Sequence, residues 1–170
     1  SGRSQKTLSN AGYHWESLVC WYLNLCLVGS NSVVIRNIKD LCPQVINDCM
    51  SVRYGTTTTN TESDLVGITF PKSNMKLKKS FNVKDLNQII KKNLNKIEIC
   101  NIQCKTNWND NAQIPMLWDI VYQAEGFKTN YISVGSNNRK LSHFNEFKYC
   151  FVTAPTQKNT NKLFKQSSTC

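Results

Sequence analysis

The sequence lacks the residue patterns that identify small zinc-binding or disulfide-linked proteins. Its eight cysteines contain no Cys-x-x-Cys pair, and its two histidines, His14 and His143, complete no zinc-binding spacing. We therefore expect no structural zinc site. A chain of 170 residues can bury a core without cross-links, and several cysteines lie in apolar stretches, where a thiol packs as a small hydrophobic group. The cysteines are predicted to be reduced, as in a cytoplasmic protein.

Long hydrophobic runs are also missing. The apolar stretch at residues 18–28 is interrupted by Asn24 and is shorter than the roughly 20 residues that a membrane-spanning helix needs. It follows Glu16 rather than a basic cluster, and it lacks the small-residue cleavage site of a secretory signal. The stretch predicts a buried helix, and we expect no membrane partner.

Acidic residues are scarce. The chain has 11 Asp and Glu against 21 Lys and Arg, which gives a formal net charge of +10 and a pI near 9.3. A surplus of this size attracts polyanions, so a nucleic acid is the first partner to consider. The alternative is that the charge only keeps the protein soluble.

Apolar periodicity predicts an α/β fold. Helical spacing of apolar residues, with capping and stop residues, favours helices over residues 11–28, 40–49, 82–94 and 114–122. Short apolar runs favour strands over residues 33–36, 65–70, 97–105, 131–134 and 147–153. Together they predict a mixed central sheet of about four to five strands flanked by helices, in one core domain over residues 11–154. Residues 1–10 are expected to form a flexible arm and residues 155–170 a polar tail.

Two of the predicted strands carry polar residues that can share one site. Asp64 opens the strand LVGITF, and Gln103 and Lys105 lie two apart near the end of IEICNIQCK, so strand alternation places both on one face. If these strands pair, the Asp64 carboxylate, the Gln103 side-chain oxygen and the backbone carbonyl of Cys104 supply the oxygen ligands that Mg²⁺ prefers. Glu16, on the first helix, reaches the same cation directly or through water. Lys105 would hold or help deprotonate a water that attacks a phosphodiester, while the metal neutralises charge on the phosphoryl oxygens.

These segments resemble the PD-(D/E)xK nuclease superfamily and, within it, the type II restriction endonucleases. The resemblance covers residues 11–135 and is carried by the segments GYHWESLVCWYL, ESDLVGITFP and IQCKTNW. It implies that Asp64 is the metal-binding aspartate, Gln103 the position usually occupied by Glu or Asp, Lys105 the motif lysine and Glu16 the helical acid. It further implies a four-stranded mixed sheet, magnesium-dependent cleavage of double-stranded DNA, a homodimer and a prokaryotic cytoplasmic location.

The motif departs from the family pattern at two positions. Ser63 precedes Asp64 where the family has proline, which is a loop preference and not a ligand. Gln103 can ligate Mg²⁺ through its amide oxygen but brings no negative charge. Glu16, or Glu62 two residues before Asp64, would supply the missing charge.

The sequence is also compatible with other functions. The chain is alternatively a non-cleaving nucleic-acid-binding module with a degenerate nuclease fold, in which Gln103 marks the loss of turnover, or a structure-selective repair or recombination nuclease. Glu16 is alternatively a first-turn acid favoured by the helix dipole. The candidate DNA contacts are basic and amide side chains of the loops, which suit phosphates and base edges: Lys76, Lys78, Lys79, Asn107, Asn109, Asn137, Asn138, Arg139 and Lys140.

Overall fold

The structure is a computed structural model that describes residues 5–54, 56–59, 63–72, 82–106 and 132–154. Its helices are α1 (Gln5–Cys26), α2 (Gln44–Met50) and α3 (Val83–Lys92). Its strands are β1 (Ser32–Arg36), β2 (Val52–Tyr54), β3 (Thr57–Thr59), β4 (Leu65–Thr69), β5 (Glu98–Lys105), β6 (Ile132–Val134) and β7 (Glu146–Thr153). Short 3₁₀ turns cover Leu94–Lys96 and Leu141–His143.

A four-stranded mixed sheet organises the fold. Its strand order is β1-β4-β5-β7, in which β4 runs antiparallel to both β1 and β5, and β5 runs parallel to β7. Helices cover both faces, because residues of α2 and α3 share one buried cluster with the sheet and residues of α1 share the other. The predicted mixed α/β class with a four-stranded sheet is confirmed.

A second, three-stranded sheet differs from the prediction of a single sheet. Its order is β3-β2-β6, with antiparallel pairing throughout. The strand predicted at residues 131–134 lies here rather than in the main sheet, and β2 and β3 are formed by residues for which no strand was predicted. Strands of three residues are too short for alternation to reveal, so their pairing depends on tertiary context.

The larger core lies between the main sheet and the pair α2 and α3. Val45, Ile46 and Cys49 of α2 are fully buried there, as their spacing predicts. The predicted cap of α3 is also confirmed, since the Asn82 side chain accepts a 2.8 Å hydrogen bond from the Asp85 amide. Asp40 does not cap α2, because that helix begins one residue after Pro43.

Helix α1 packs on the opposite face of the main sheet and begins earlier than predicted. It starts at Gln5, inside the stretch expected to be a flexible arm, and the segment QKTLSN contains no proline or glycine that would stop a helix. At its other end the helix stops at Cys26, and Gly29 takes a φ of +81° in the turn that follows. Along its length, Val19 is buried while Trp21 and Tyr22 are 61% and 58% exposed.

Candidate active site

Strand pairing brings the predicted aspartate to the predicted Gln-x-Lys segment. Leu65 of β4 lies opposite Ile102 of β5, so continuing the antiparallel register by one position places Asp64 opposite Gln103. The backbone carbonyl of Asp64 also accepts a 2.9 Å hydrogen bond from the Asn37 amide, which extends the contact with β1. Asp64 is therefore held on both sides at the start of β4.

Near the end of β5, apolar side chains lie on one face of the strand and polar side chains on the other. Ile102 and Cys104 belong to the core under α1. Ile99 belongs to the core under α2 and α3, and alternation places Gln103 and Lys105 on that same face. The prediction that these two polar residues share a face agrees with this register.

The Asp64 carboxylate contacts the middle residue of the Gln-x-Lys segment directly. Its Oδ2 accepts a 2.7 Å hydrogen bond from the backbone amide of Cys104. That amide lies beyond the last paired residues of the β4–β5 ladder, so the side chain accepts a bond that a backbone carbonyl would otherwise accept. The bond fixes a carboxylate beside the residue that separates Gln103 from Lys105.

Gln103 is enclosed and hydrogen-bonded. Its exposed fraction is 0%, and its Oε1 accepts a hydrogen bond from the Tyr149 hydroxyl on β7. Buried amides are costly unless they are paired, so this bond explains how a glutamine is accommodated inside the sheet layer. The side-chain oxygen of Gln103, which the sequence predicts to be a metal ligand, is thus held by a hydrogen bond from Tyr149.

Glu16 is held by an arginine that the sequence reasoning missed. Its Oε2 lies 3.1 Å from Nη2 of Arg36, at the end of β1. The Arg36 guanidinium also stacks 4.0 Å from the ring centre of Tyr13. Because α1 begins at Gln5, Glu16 lies in the middle of the helix, and the alternative of a first-turn acid is wrong. Arg36 is the charged last residue of the largely apolar strand SVVIR. This position indicates that it needs a partner of opposite charge.

The carboxylates of Asp64 and Glu16 both influence the pKa of the Cys104 thiol. The pKa of the Cys104 thiol is raised to about 12, mainly by burial and also by the negative charges of Asp64 and Glu16, while Lys105 lowers it. Both acids and the lysine are therefore close enough to Cys104 to influence it electrostatically. Helix α1, the start of β4 and the end of β5 converge at this point.

The arrangement supplies oxygen donors of the kind that Mg²⁺ prefers. Asp64 offers a carboxylate, Gln103 an amide oxygen and Cys104 a backbone carbonyl, whereas Glu16 is paired with Arg36 and lies on α1, the helix that packs on the opposite face of the sheet from Gln103. Within the described part of the chain, no three His, Cys, Asp or Glu side chains are gathered closely enough to hold a metal on their own. The donor set therefore fits a hard cation only with amide and backbone oxygens included.

The predicted DNA contacts are only partly described. Glu62, the possible extra acid, lies outside the described residues, as do the predicted contacts Lys76, Lys78, Lys79, Asn107 and Asn109. The loop at residues 136–140 is anchored to α2: the Ser136 amide donates a 2.8 Å bond to the Asp48 carbonyl, and the Asn137 amide group donates to the Asp48 carboxylate at 3.2 Å. Asn138 and Lys140 are exposed, and Arg139 is half-buried.

Comparisons with known proteins do not assign the chain to a family. No family model matches it, and a search of curated proteins finds no match either. None of the helices in the described ranges is long and apolar enough to cross a membrane. The resemblance to nucleases therefore stays a prediction from the sequence motifs.

Proposed function

We propose that this protein is a magnesium-dependent endonuclease that hydrolyses phosphodiester bonds of double-stranded DNA at specific sites, in the manner of a type II restriction enzyme. One contact carries the proposal: the 2.7 Å hydrogen bond from the Cys104 amide to the Asp64 carboxylate, which joins the aspartate to the Gln-x-Lys segment. The net charge of +10 supports a polyanionic substrate. A second copy of the chain would cut the second strand.

The residues that would hold Mg²⁺ are Asp64, Gln103 and the backbone carbonyl of Cys104. When bound, the cation would offset the negative charge that builds on the phosphoryl oxygens. Glu16 is ion-paired with Arg36 on the face of the sheet under α1, so we assign it no direct bond to the cation, and any contact would be made through water. Arg36 in turn keeps the glutamate on the side of α1 that faces the sheet.

Lys105 follows the metal-binding segment and has the role of orienting the attacking water. Its ammonium group can hydrogen-bond that water and the phosphate oxygen beside it, which stabilises the charge that develops during in-line attack. The water oxygen forms the new bond to phosphorus and gives its proton to solvent, while the bond from phosphorus to the ester oxygen breaks and that oxygen departs with the electron pair and takes up a proton from solvent. Loss of the ammonium group removes an interaction that is strongest in the transition state.

Cleavage of plasmid and phage DNA tests the proposal. The wild-type chain is expected to give discrete fragments with Mg²⁺ and none with EDTA. Lys105→Ala and Asp64→Asn should each lower the rate by roughly 100- to 1,000-fold. Lys148→Ala is the matched control, because Lys148 lies on the adjacent strand β7 with its side chain 63% exposed and paired with Glu146. Normal cutting by the Lys105 variant would show that the site is misplaced.

One observation favours a second function. Gln103 is neutral, fully buried and already bonded to Tyr149, which is also what a structural glutamine would show in a nuclease fold that has lost turnover. Such a protein would bind DNA without cutting it. In the same assay it would give retarded but intact DNA that is indifferent to EDTA.

A further inference from the structure

Tyr149 reaches diagonally along the sheet to Gln103. In the parallel ladder between β5 and β7, Tyr149 lies opposite Asn101, whereas Gln103 lies opposite Phe151. The Tyr149 hydroxyl nevertheless donates its hydrogen bond to Gln103. Diagonal neighbours two positions apart are within reach of an aromatic side chain. The tyrosine therefore leans toward the carboxyl end of β5, where Asp64 contacts the strand.

The nearest buried amide does not receive this bond. Asn101 is 0% exposed, and neither Nδ2 nor Oδ1 of its side chain has a hydrogen-bond partner within the described ranges. If the tyrosine served only to provide a hydrogen bond for a buried amide, we would expect it to bond Asn101, which lies directly opposite. Its hydroxyl instead fixes the amide that lies beside the candidate cation site.

We propose that Tyr149 is a positioning residue that holds the Gln103 carbonyl oxygen for metal binding. The proposal rests on the proposed function, because it concerns the cation site shared with Asp64. A carbonyl oxygen has two lone pairs, so it can accept a hydroxyl hydrogen and ligate a cation at once. A neutral amide is attracted to a cation more weakly than a carboxylate is, which makes outside support of its orientation more important.

Metal affinity of the full chain tests this assignment without relying on catalysis. Mn²⁺ is titrated into wild-type protein and into Tyr149→Phe, and free Mn²⁺ is followed by electron paramagnetic resonance. Removal of a hydrogen bond that orients a ligand typically weakens metal binding by about 10- to 100-fold, and we expect a loss in that range. Tyr22→Phe is the control, since Tyr22 is 58% exposed on α1, and it should bind Mn²⁺ as the wild type does.

Substitution of the glutamine separates positioning from a general structural effect. In Gln103→Glu, the carboxylate brings a charge and two equivalent oxygens, so the cation orients it directly. Adding Tyr149→Phe to Gln103→Glu should then weaken Mn²⁺ binding by no more than about 3-fold, well below the effect expected in the wild-type background. An equal loss in both backgrounds would indicate that the tyrosine only supports the fold, and wild-type Mn²⁺ affinity in Tyr149→Phe would overturn the assignment.

The outcome also distinguishes this proposal from the proposed activity. If wild-type protein binds Mn²⁺ and Tyr149→Phe weakens that binding, but no DNA is cut, the positioning role stands and the nuclease activity fails. If DNA is cut and both proteins bind Mn²⁺ equally, the activity stands and the positioning role fails. If wild-type protein binds no Mn²⁺, the positioning role is overturned.

Discussion

Among the described residues, the face of the main sheet covered by α2 and α3 carries a core of thirteen buried hydrophobic side chains, whereas the face under α1 carries five. Helix α1 also leaves Leu18, Trp21 and Leu25 more than half exposed. Because apolar burial contributes free energy roughly in proportion to area, the folding free energy is concentrated on the first face. Gln103 lies at one end of that same face, so the candidate site is attached to the better-packed half of the molecule.

Valine truncations on the two faces give the largest expected difference. Val66 of β4 is 0% exposed in the larger core, and Val19 of α1 is 6% exposed in the smaller one. Val66→Ala should lower the free energy of unfolding by roughly 2–3 kcal/mol, from lost burial and a cavity that rigid neighbours cannot fill. Val19→Ala should cost roughly 1 kcal/mol, because the surroundings can relax and alanine favours the helix.

Urea denaturation of the two variants beside wild-type protein measures both values. Equal losses would contradict the comparison, since they would mean that the core under α1 is as rigid as the other. A loss in Val19→Ala larger than in Val66→Ala would reverse it.

Alkaline pH tests how deeply individual thiols are buried, with a smaller expected effect, because the core under α1 also holds a thiol of raised pKa, Cys104. Burial raises the pKa of the Cys42 and Cys49 thiols, both in the larger core, to about 12 from the ordinary value of 9.0. Their folded pKa lies above the unfolded one, so their contribution to stability is complete below pH 9.0 and is lost as the pH rises toward 12. At pH 10 each thiol should have lost roughly 1 kcal/mol of that contribution.

Thermal unfolding between pH 8 and 10.5 measures this alkaline slope. The double variant Cys42→Ala and Cys49→Ala should start less stable but show a shallower decline than wild-type protein. Cys20 on α1 is half-buried. Burial raises the pKa of its thiol, while the positive charge of Arg36 lowers it. Cys20→Ala should therefore change the slope less, and a change as large as that of the double variant would argue against burial depth as the cause.

Local sequence rules predicted much of this architecture because they act within one element. The Asn82 cap, the inward residues of α2 and the alternation along β5 all depend on neighbours a few positions away. Alternation along β5 predicted that Gln103 and Lys105 share a face, whereas the pairing of their strand with the one that follows Asp64 was a condition of the hypothesis. The mixed sheet could be predicted from the order of such elements.

The partners of the site residues could not be predicted, because they join distant parts of the chain. Tyr149 bonds Gln103 across 46 positions, and Arg36 pairs with Glu16 across 20. The only signals were a charged residue in an apolar strand and a buried amide that needed a hydrogen bond. The second sheet was missed for a related reason, since its short strands are defined by pairing and not by their own sequence.

The smallest expected effect concerns Asn101, a buried polar residue of β5. Asn101→Leu keeps the same number of side-chain heavy atoms and removes two buried polar atoms that have no partner within the described ranges. Replacing an unpaired polar group with an apolar one of similar shape is neutral or stabilising, so we expect a gain of about 0–1 kcal/mol in urea denaturation. Asn101→Ala is the control, and it should destabilise the protein because it leaves a cavity. A loss of stability in Asn101→Leu would mean that the Asn101 amide is hydrogen-bonded in solution. The polar side chains at the end of β5, Gln103 and Lys105, would then be joined by a third on the same face, nearer the centre of the sheet.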